Sequence, residues 1–182
     1  GTYRPGANDA SRNLSSIIGR ARTIPAYEGG DQNWQTLVEC VRHQFNRFNV
    51  VVTDVEPTAG NYVETVIGGY PSNLGLSGGI TGIAPIDTYS CAPIENAVAY
   101  VFSANIGSFR GECETTAHEI GHTISLEHEY LCADPMTYLW GCGEKEFQDT
   151  TAWCGTGSSV RCACRGGQQN TVQAMFDLIG TV

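Results

Sequence analysis

Long hydrophobic runs are missing from this chain of 182 residues: Asn, Gly, Pro or a charged residue interrupts every apolar stretch before it could span a membrane. Basic residues are scarce, with 10 Lys+Arg against 19 Asp+Glu. That balance lacks the basic footprint of a nucleic-acid binder, so neither nucleic acid nor membrane is an expected partner. There is no internal repeat, and the Gly-rich GLSGGITGI lacks the lysine and the strand-to-helix context of a phosphate loop. The opening GTYRPG has no initiator Met and no apolar signal segment, the form a processed mature chain would take.

Cysteine, by contrast, is plentiful. Eight residues, at positions 40, 91, 113, 132, 142, 154, 162 and 164, form an even set at a density typical of disulfide-bonded extracellular proteins. Four disulfides and a secreted, extracellular location are therefore expected, with pairing left open. Cys154, Cys162 and Cys164 could in principle form a second zinc site, but they lack the paired C-x-x-C steps of common zinc modules.

Apolar spacing outlines the elements. NWQTLVECVRHQFNRF (33–48) places Trp34, Leu37, Val38, Val41, Phe45 and Phe48 at steps of three and four, which predicts an amphipathic helix. NVVVTDVEP (49–57) is dense in β-branched residues and reads as a strand, as does NYVETVIGG (61–69). GGITGIAPID (78–87) suits a short edge strand, and NAVAYVFSA (96–104) a buried central one. CETTAHEIGHTIS predicts a second helix capped by Thr115 or Thr116, and TVQAMFDLI (171–179) a last one. Residues 1–30 carry no strong period. The expected class is α+β (mixed α/β) in a single domain, 1–182. Residues 1–125 would form an N-terminal subdomain with the sheet and active-site helix. Residues 126–182 would form an irregular, disulfide-rich C-terminal subdomain ending in a helix.

Three of the four histidines fall within HEIGHTISLEH, residues 118–128. Residues four apart on a helix share a face, so His118 and His122 can offer two nitrogens to one metal while Glu119 reaches toward a water. His128 lies six residues past His122; on a continued helix it would point about 240° away. It joins the others only if the helix stops and the chain doubles back. Gly commonly supplies the left-handed residue such a reversal needs, and here the position holds Ser125. Either Ser125 accepts a strain of about 1–2 kcal/mol, or its hydroxyl bonds the last helical carbonyls and the helix unwinds without it. Zinc binding, worth roughly 10 kcal/mol in favourable cases, outweighs that strain.

HEIGHTISLEH followed by DPMTY resembles the metzincin clan of zinc endopeptidases, whose pattern is H-E-x-x-H-x-x-G-x-x-H with a downstream methionine turn. The resemblance covers residues 118–138. It implies a twisted sheet with an active-site helix, Zn2+ held by His118, His122 and His128, and Glu119 as general base toward a zinc-bound water. Met136 would be the apolar floor under the metal, and Tyr138 is similar in position to the tyrosine with which astacins and serralysins reach the zinc or the intermediate. Two departures stand out: Ser125 in place of glycine, and only seven residues between His128 and Met136. Glu129 after the third histidine is as in astacins, where it pairs with the mature N-terminus, a role that would fall to Gly1 here. The implied activity is secreted endopeptidase action by a monomer on a peptide held extended in the cleft, against an edge expected at 78–84. The family within the clan, side-chain specificity and any Ca2+ requirement are not legible. Two alternatives stay open: a gluzincin-type peptidase with Glu144 or Glu146 as third ligand, and a non-catalytic, zinc-stabilised extracellular binding domain.

Overall fold

The computed structural model describes all residues from Gly1 to Val182. Its backbone is α+β, with three helices and two small sheets. In chain order the elements are β1 (Thr2–Pro5), β2 (Leu14–Ser15), β3 (Arg22–Thr23), α1 (Asp31–Phe45), β4 (Glu64–Ile67), β5 (Gly82–Ile83), β6 (Val98–Val101), α2 (Phe109–Thr123) and α3 (Thr171–Ile179). No helix is long and apolar enough to cross a membrane.

β6 is the centre of the sheet that positions the site. All four of its residues are buried, as its unbroken apolar run predicts. It pairs in parallel with β4 and antiparallel with β5, so the order is β4-β6-β5 and β5 is an edge. The edge ladder covers only Gly82 and Ile83 of the expected 78–84.

The N-terminal thirty residues, which carry no period, form a second sheet in the order β2-β1-β3. Two of its strands are two residues long, too short to leave an alternating pattern. It is fastened to β6 through Tyr3, whose ring meets that of Tyr100 edge-on at 5.5 Å and whose hydroxyl donates to Glu64 Oε1 at 2.5 Å.

α1 buries Leu37, Val38, Val41 and Phe45 on the predicted face. The strand expected at 49–57 does not form. β-branched composition favours a strand only where a neighbouring strand takes up the ladder, and here α1 takes the segment instead. Arg42 Nε donates to the Val52 carbonyl at 3.0 Å, and Trp34 and Gln35 both donate to Asp54. Val51 and Val55 are left 90% and 70% exposed.

α2 begins earlier than its apolar period suggests. Ser108 caps it, its hydroxyl accepting from the Gly111 amide at 3.1 Å. Thr116 does not cap; it lies inside the helix and donates back to the Glu112 carbonyl. The larger apolar cluster joins Leu37, Val41 and Phe45 of α1 and Ala117 of α2 to Leu126, Met136, Phe147 and Met175. The core thus runs continuously across residue 125.

All eight cysteines pair: Cys40–Cys113, Cys91–Cys164, Cys132–Cys142 and Cys154–Cys162. Cys154, Cys162 and Cys164 therefore have no thiolate to offer a second zinc. The first bridge joins α1 to α2, and the last two close short loops after the histidine cluster. Cys91–Cys164 ties the segment after β5 to the C-terminal part.

Candidate metal centre

The end of α2 solves the reversal that the histidine spacing demands. Ser125 adopts the left-handed conformation, with φ of 63°. Its amide donates to the His122 carbonyl at 2.9 Å and the Leu126 amide donates to the Gly121 carbonyl at 3.0 Å. These are the two backbone bonds of a Schellman stop, made with serine where glycine is usual. The hydroxyl does not bond the helical carbonyls. It donates to the Ala92 carbonyl at 2.6 Å, next to the Cys91–Cys164 bridge. The Ile94 amide donates to the Thr123 carbonyl at 2.8 Å, so the segment after β5 is fastened to the helix end at two points.

This turn carries His128 back to α2. The rings of His118, His122 and His128 lie with centroids 4.5, 4.7 and 5.1 Å apart, and one ligand atom of each falls within 4.8 Å of the others. His118 Nδ1 lies 2.9 Å from the Pro135 carbonyl and His122 Nδ1 2.8 Å from the Leu126 carbonyl. A carbonyl only accepts, so both Nδ1 atoms carry the proton and both Nε2 atoms present lone pairs. His122 Nε2 is 3.1 Å from His128 Nε2. His118 Nε2 is buried without any hydrogen-bond partner.

Burial also keeps the imidazoles neutral. It holds His118 well below the ordinary histidine range, helped by the neighbouring His122, and pushes His122 down to about 4. His128 is lowered by the same cause. Three neutral nitrogens converging on one point, one of them an orphaned lone pair, suit a divalent cation that prefers imidazole. Zinc fits this donor set.

Glu119 lines the same cleft. Burial pushes its carboxyl up to about 8. It lies against the edge strand so closely that a Cβ on Gly82 would sit 2.5 Å from Glu119 Oε1. Gly82 is therefore the residue that leaves the carboxylate its space. Gly121 has the same relation to the methionine turn: a Cβ there would be 2.5 Å from Met136 Sδ. Met136 is fully buried, its sulfur against Gly121 of α2, next to His122. Tyr138 is half exposed, its ring 4.4 Å from that of His128 and stacked 5.5 Å from that of His118. Burial, with Glu119 nearby, raises its hydroxyl above the usual tyrosine range.

The cleft has a volume of about 390 Å³. Its lining combines Gly82–Ile83 of β5 and the segment after it, Cys154, Gly155 and Val160 from the C-terminal part, and Glu119, His122, Glu127, His128 and Tyr138.

Three expected roles find no geometry. Glu146 lies outside the histidine cluster, 3.3 Å from His43 Nε2, and Glu144 is an exposed residue beside Arg110. Gly1 does not reach Glu129, because its ammonium donates to the Ile24 carbonyl at 2.9 Å. Glu129 is instead fully buried beside Gln169, its carboxyl pushed up to about 8 by desolvation and by Asp134.

Two further residues, one in DPMTY and one outside any motif, complete the support. Asp134 Oδ1 accepts from the Met136 amide at 2.8 Å, and Oδ2 from the Gln148 amide and the Thr171 hydroxyl. Gln169 pairs with the backbone of Glu127. Neither was singled out by the sequence; Asp134 appears only as the first residue of DPMTY, and Gln169 carries no local signal. No protein family, curated protein or solved structure matches the chain.

Proposed function

We propose that this chain is a secreted zinc-dependent endopeptidase of metzincin type. The observation that carries the reading is the convergence of His118, His122 and His128, with two ring Nδ1 protons committed to carbonyls and Glu119 buried in the same cleft. Four disulfides support the secreted location.

The three histidines would hold the ion as neutral ligands. When bound, zinc supplies a Lewis acid that polarises the scissile carbonyl and makes a water easier to deprotonate. Glu119 is the base. Its apolar surroundings raise its proton affinity, while a neighbouring dication favours the ionised form it needs at the start. It takes the proton of the attacking water and delivers it to the leaving amine, so one carboxylate serves both halves of the reaction. Tyr138, flanking His118 and His128, can donate its hydroxyl to the developing oxyanion.

The outer side of β5 is unpaired, so a substrate strand can add to the edge at Gly82–Ile83 and pass Glu119. Ile83, Ala84, Ile86 and Val160 give the cleft apolar walls, which favour an apolar substrate side chain next to the scissile bond. Digestion of an unfolded protein, with the new termini mapped by mass spectrometry, tests this. Internal cuts flanked by apolar residues are expected. Trimming confined to chain ends would rule out endopeptidase action.

A further inference from the structure

His128 stands on neither helix nor strand, so its position depends on what holds the irregular chain around it. Most of that hold is backbone. The Gly155 amide donates to the His128 carbonyl, Glu129 to the Met136 carbonyl, and Tyr130 to the Trp153 carbonyl. The carboxylate of Glu127, the residue immediately before the ligand, accepts from the Ala163 and Cys164 amides at 3.0 and 2.9 Å, and its own amide and carbonyl need partners too. Both are taken by one side chain. Gln169 Oε1 accepts from the Glu127 amide at 2.9 Å, and Gln169 Nε2 donates to the Glu127 carbonyl at 3.0 Å. The carboxamide thus replaces a rung of a β-ladder. Nε2 also lies 3.4 Å from Glu129 Oε2, so the same group touches the residues on both sides of His128. Gln169 is itself fixed, exchanging two backbone bonds with Ala152 at 2.8 and 2.9 Å.

Two residues later, Thr171 does the corresponding work for His118. Its hydroxyl donates to Asp134 Oδ2 at 2.6 Å. Asp134 holds the Met136 amide with its other oxygen, which closes the turn whose Pro135 carbonyl accepts the His118 Nδ1 proton. Gln169 and Thr171 are 1% and 0% exposed. Buried amides and hydroxyls cost stability unless they are bonded, and an apolar pair would fill the same space more cheaply.

We infer that Gln169 and Thr171 are positioning residues of the metal centre: one sets the third ligand, and the other sets the carbonyl that orients the first. This rests on the reading that the three histidines hold a metal. It assigns Gln169 and the first residue of α3, both outside the histidine and methionine motifs, a role in ligand geometry as well as in packing.

The test compares wild type with Gln169→Met and Thr171→Val, which keep volume and remove the hydrogen bonds, and with Thr171→Ser, which restores the hydroxyl. Zinc dissociation constants come from chelator competition at a temperature where circular dichroism shows each protein folded. Cobalt(II) absorption reports the ligand geometry. Gln169→Met and Thr171→Val should weaken zinc by about 10- to 100-fold and alter the cobalt bands, while Thr171→Ser stays close to wild type. A purely packing role would lower the denaturation midpoint of the metal-free proteins and leave the folded proteins' zinc affinity and cobalt bands unchanged, which would overturn the inference. If Thr171→Val does not fold, Gln169→Met decides by the same criterion. A wild type that binds neither metal would instead overturn the metal-centre reading, and the inference with it.

Discussion

Replacing Ser125 separates two effects that the turn after α2 combines. Serine there holds a left-handed backbone, a strain of about 1–2 kcal/mol for a residue with a Cβ. Its hydroxyl bond to the Ala92 carbonyl returns about 1 kcal/mol. Ser125→Ala keeps the strain and loses the bond, so it should destabilise the fold by about 1 kcal/mol. Ser125→Gly loses the bond but also the strain, and gives back about 0.5–1 kcal/mol in unfolded-chain entropy. Its net change should lie within about 1 kcal/mol of zero. Urea denaturation of the metal-free proteins measures both, and chelator competition gives zinc affinity alongside. The glycine variant should bind zinc at least as well as wild type, because the Schellman bonds that bring His128 round are backbone bonds. Zinc binding weakened tenfold or more in Ser125→Gly, with stability retained, would refute this and make the hydroxyl itself the device that places the ligand.

Other outcomes follow from the same geometry. Gly82→Ala puts a methyl 2.5 Å from Glu119 Oε1 and forces the carboxylate to move, so kcat should fall by more than about tenfold while zinc stoichiometry stays at wild type. Unchanged kcat would show that the carboxylate does not need that position. Removing Cys91–Cys164 by double serine substitution opens a loop of sequence separation 73 and should cost about 4 kcal/mol in urea. A loss below about 1 kcal/mol would mean that the unfolded chain is already constrained there. The metal-free protein should lose stability as pH rises from 6.5 to 8. Folded Glu119 and Glu129 keep protons up to about 8 that the unfolded chain releases near 4.5, a drop on the order of 2–3 kcal/mol for the pair. Stability that is flat or rising from 6.5 to 8 would contradict the burial of these carboxyls.

Where a local pattern meets one partner, the sequence is readable. Leu37, Val38, Val41 and Phe45 mark the buried face of α1, the run at Val98–Val101 marks the central strand, and 171–179 is a helix with the expected bounds. The histidine spacing demanded a reversal, and Ser125 makes it. Where structure depends on distant chain, the pattern misleads or falls silent. Val50–Val52 have strand propensity but no strand beside them, because Arg42 and Trp34 of α1 hold the segment. β2 and β3 exist only through their pairing with β1. Gln169 and Thr171 look like ordinary polar residues until the fold bonds them to the Glu127 backbone and to Asp134. The four disulfides followed from an even count, but their pairing depended on the completed fold.

As proposed, His118, His122 and His128 hold zinc and Glu119 uses it to hydrolyse peptide bonds. The most direct measurement combines metal analysis of purified protein with cleavage of an unfolded protein by wild type and Glu119→Gln. One zinc per chain in both proteins, with activity in wild type reduced by at least about 10³-fold in the variant, is the predicted result. Wild type without zinc, or a variant as active as wild type, would contradict it.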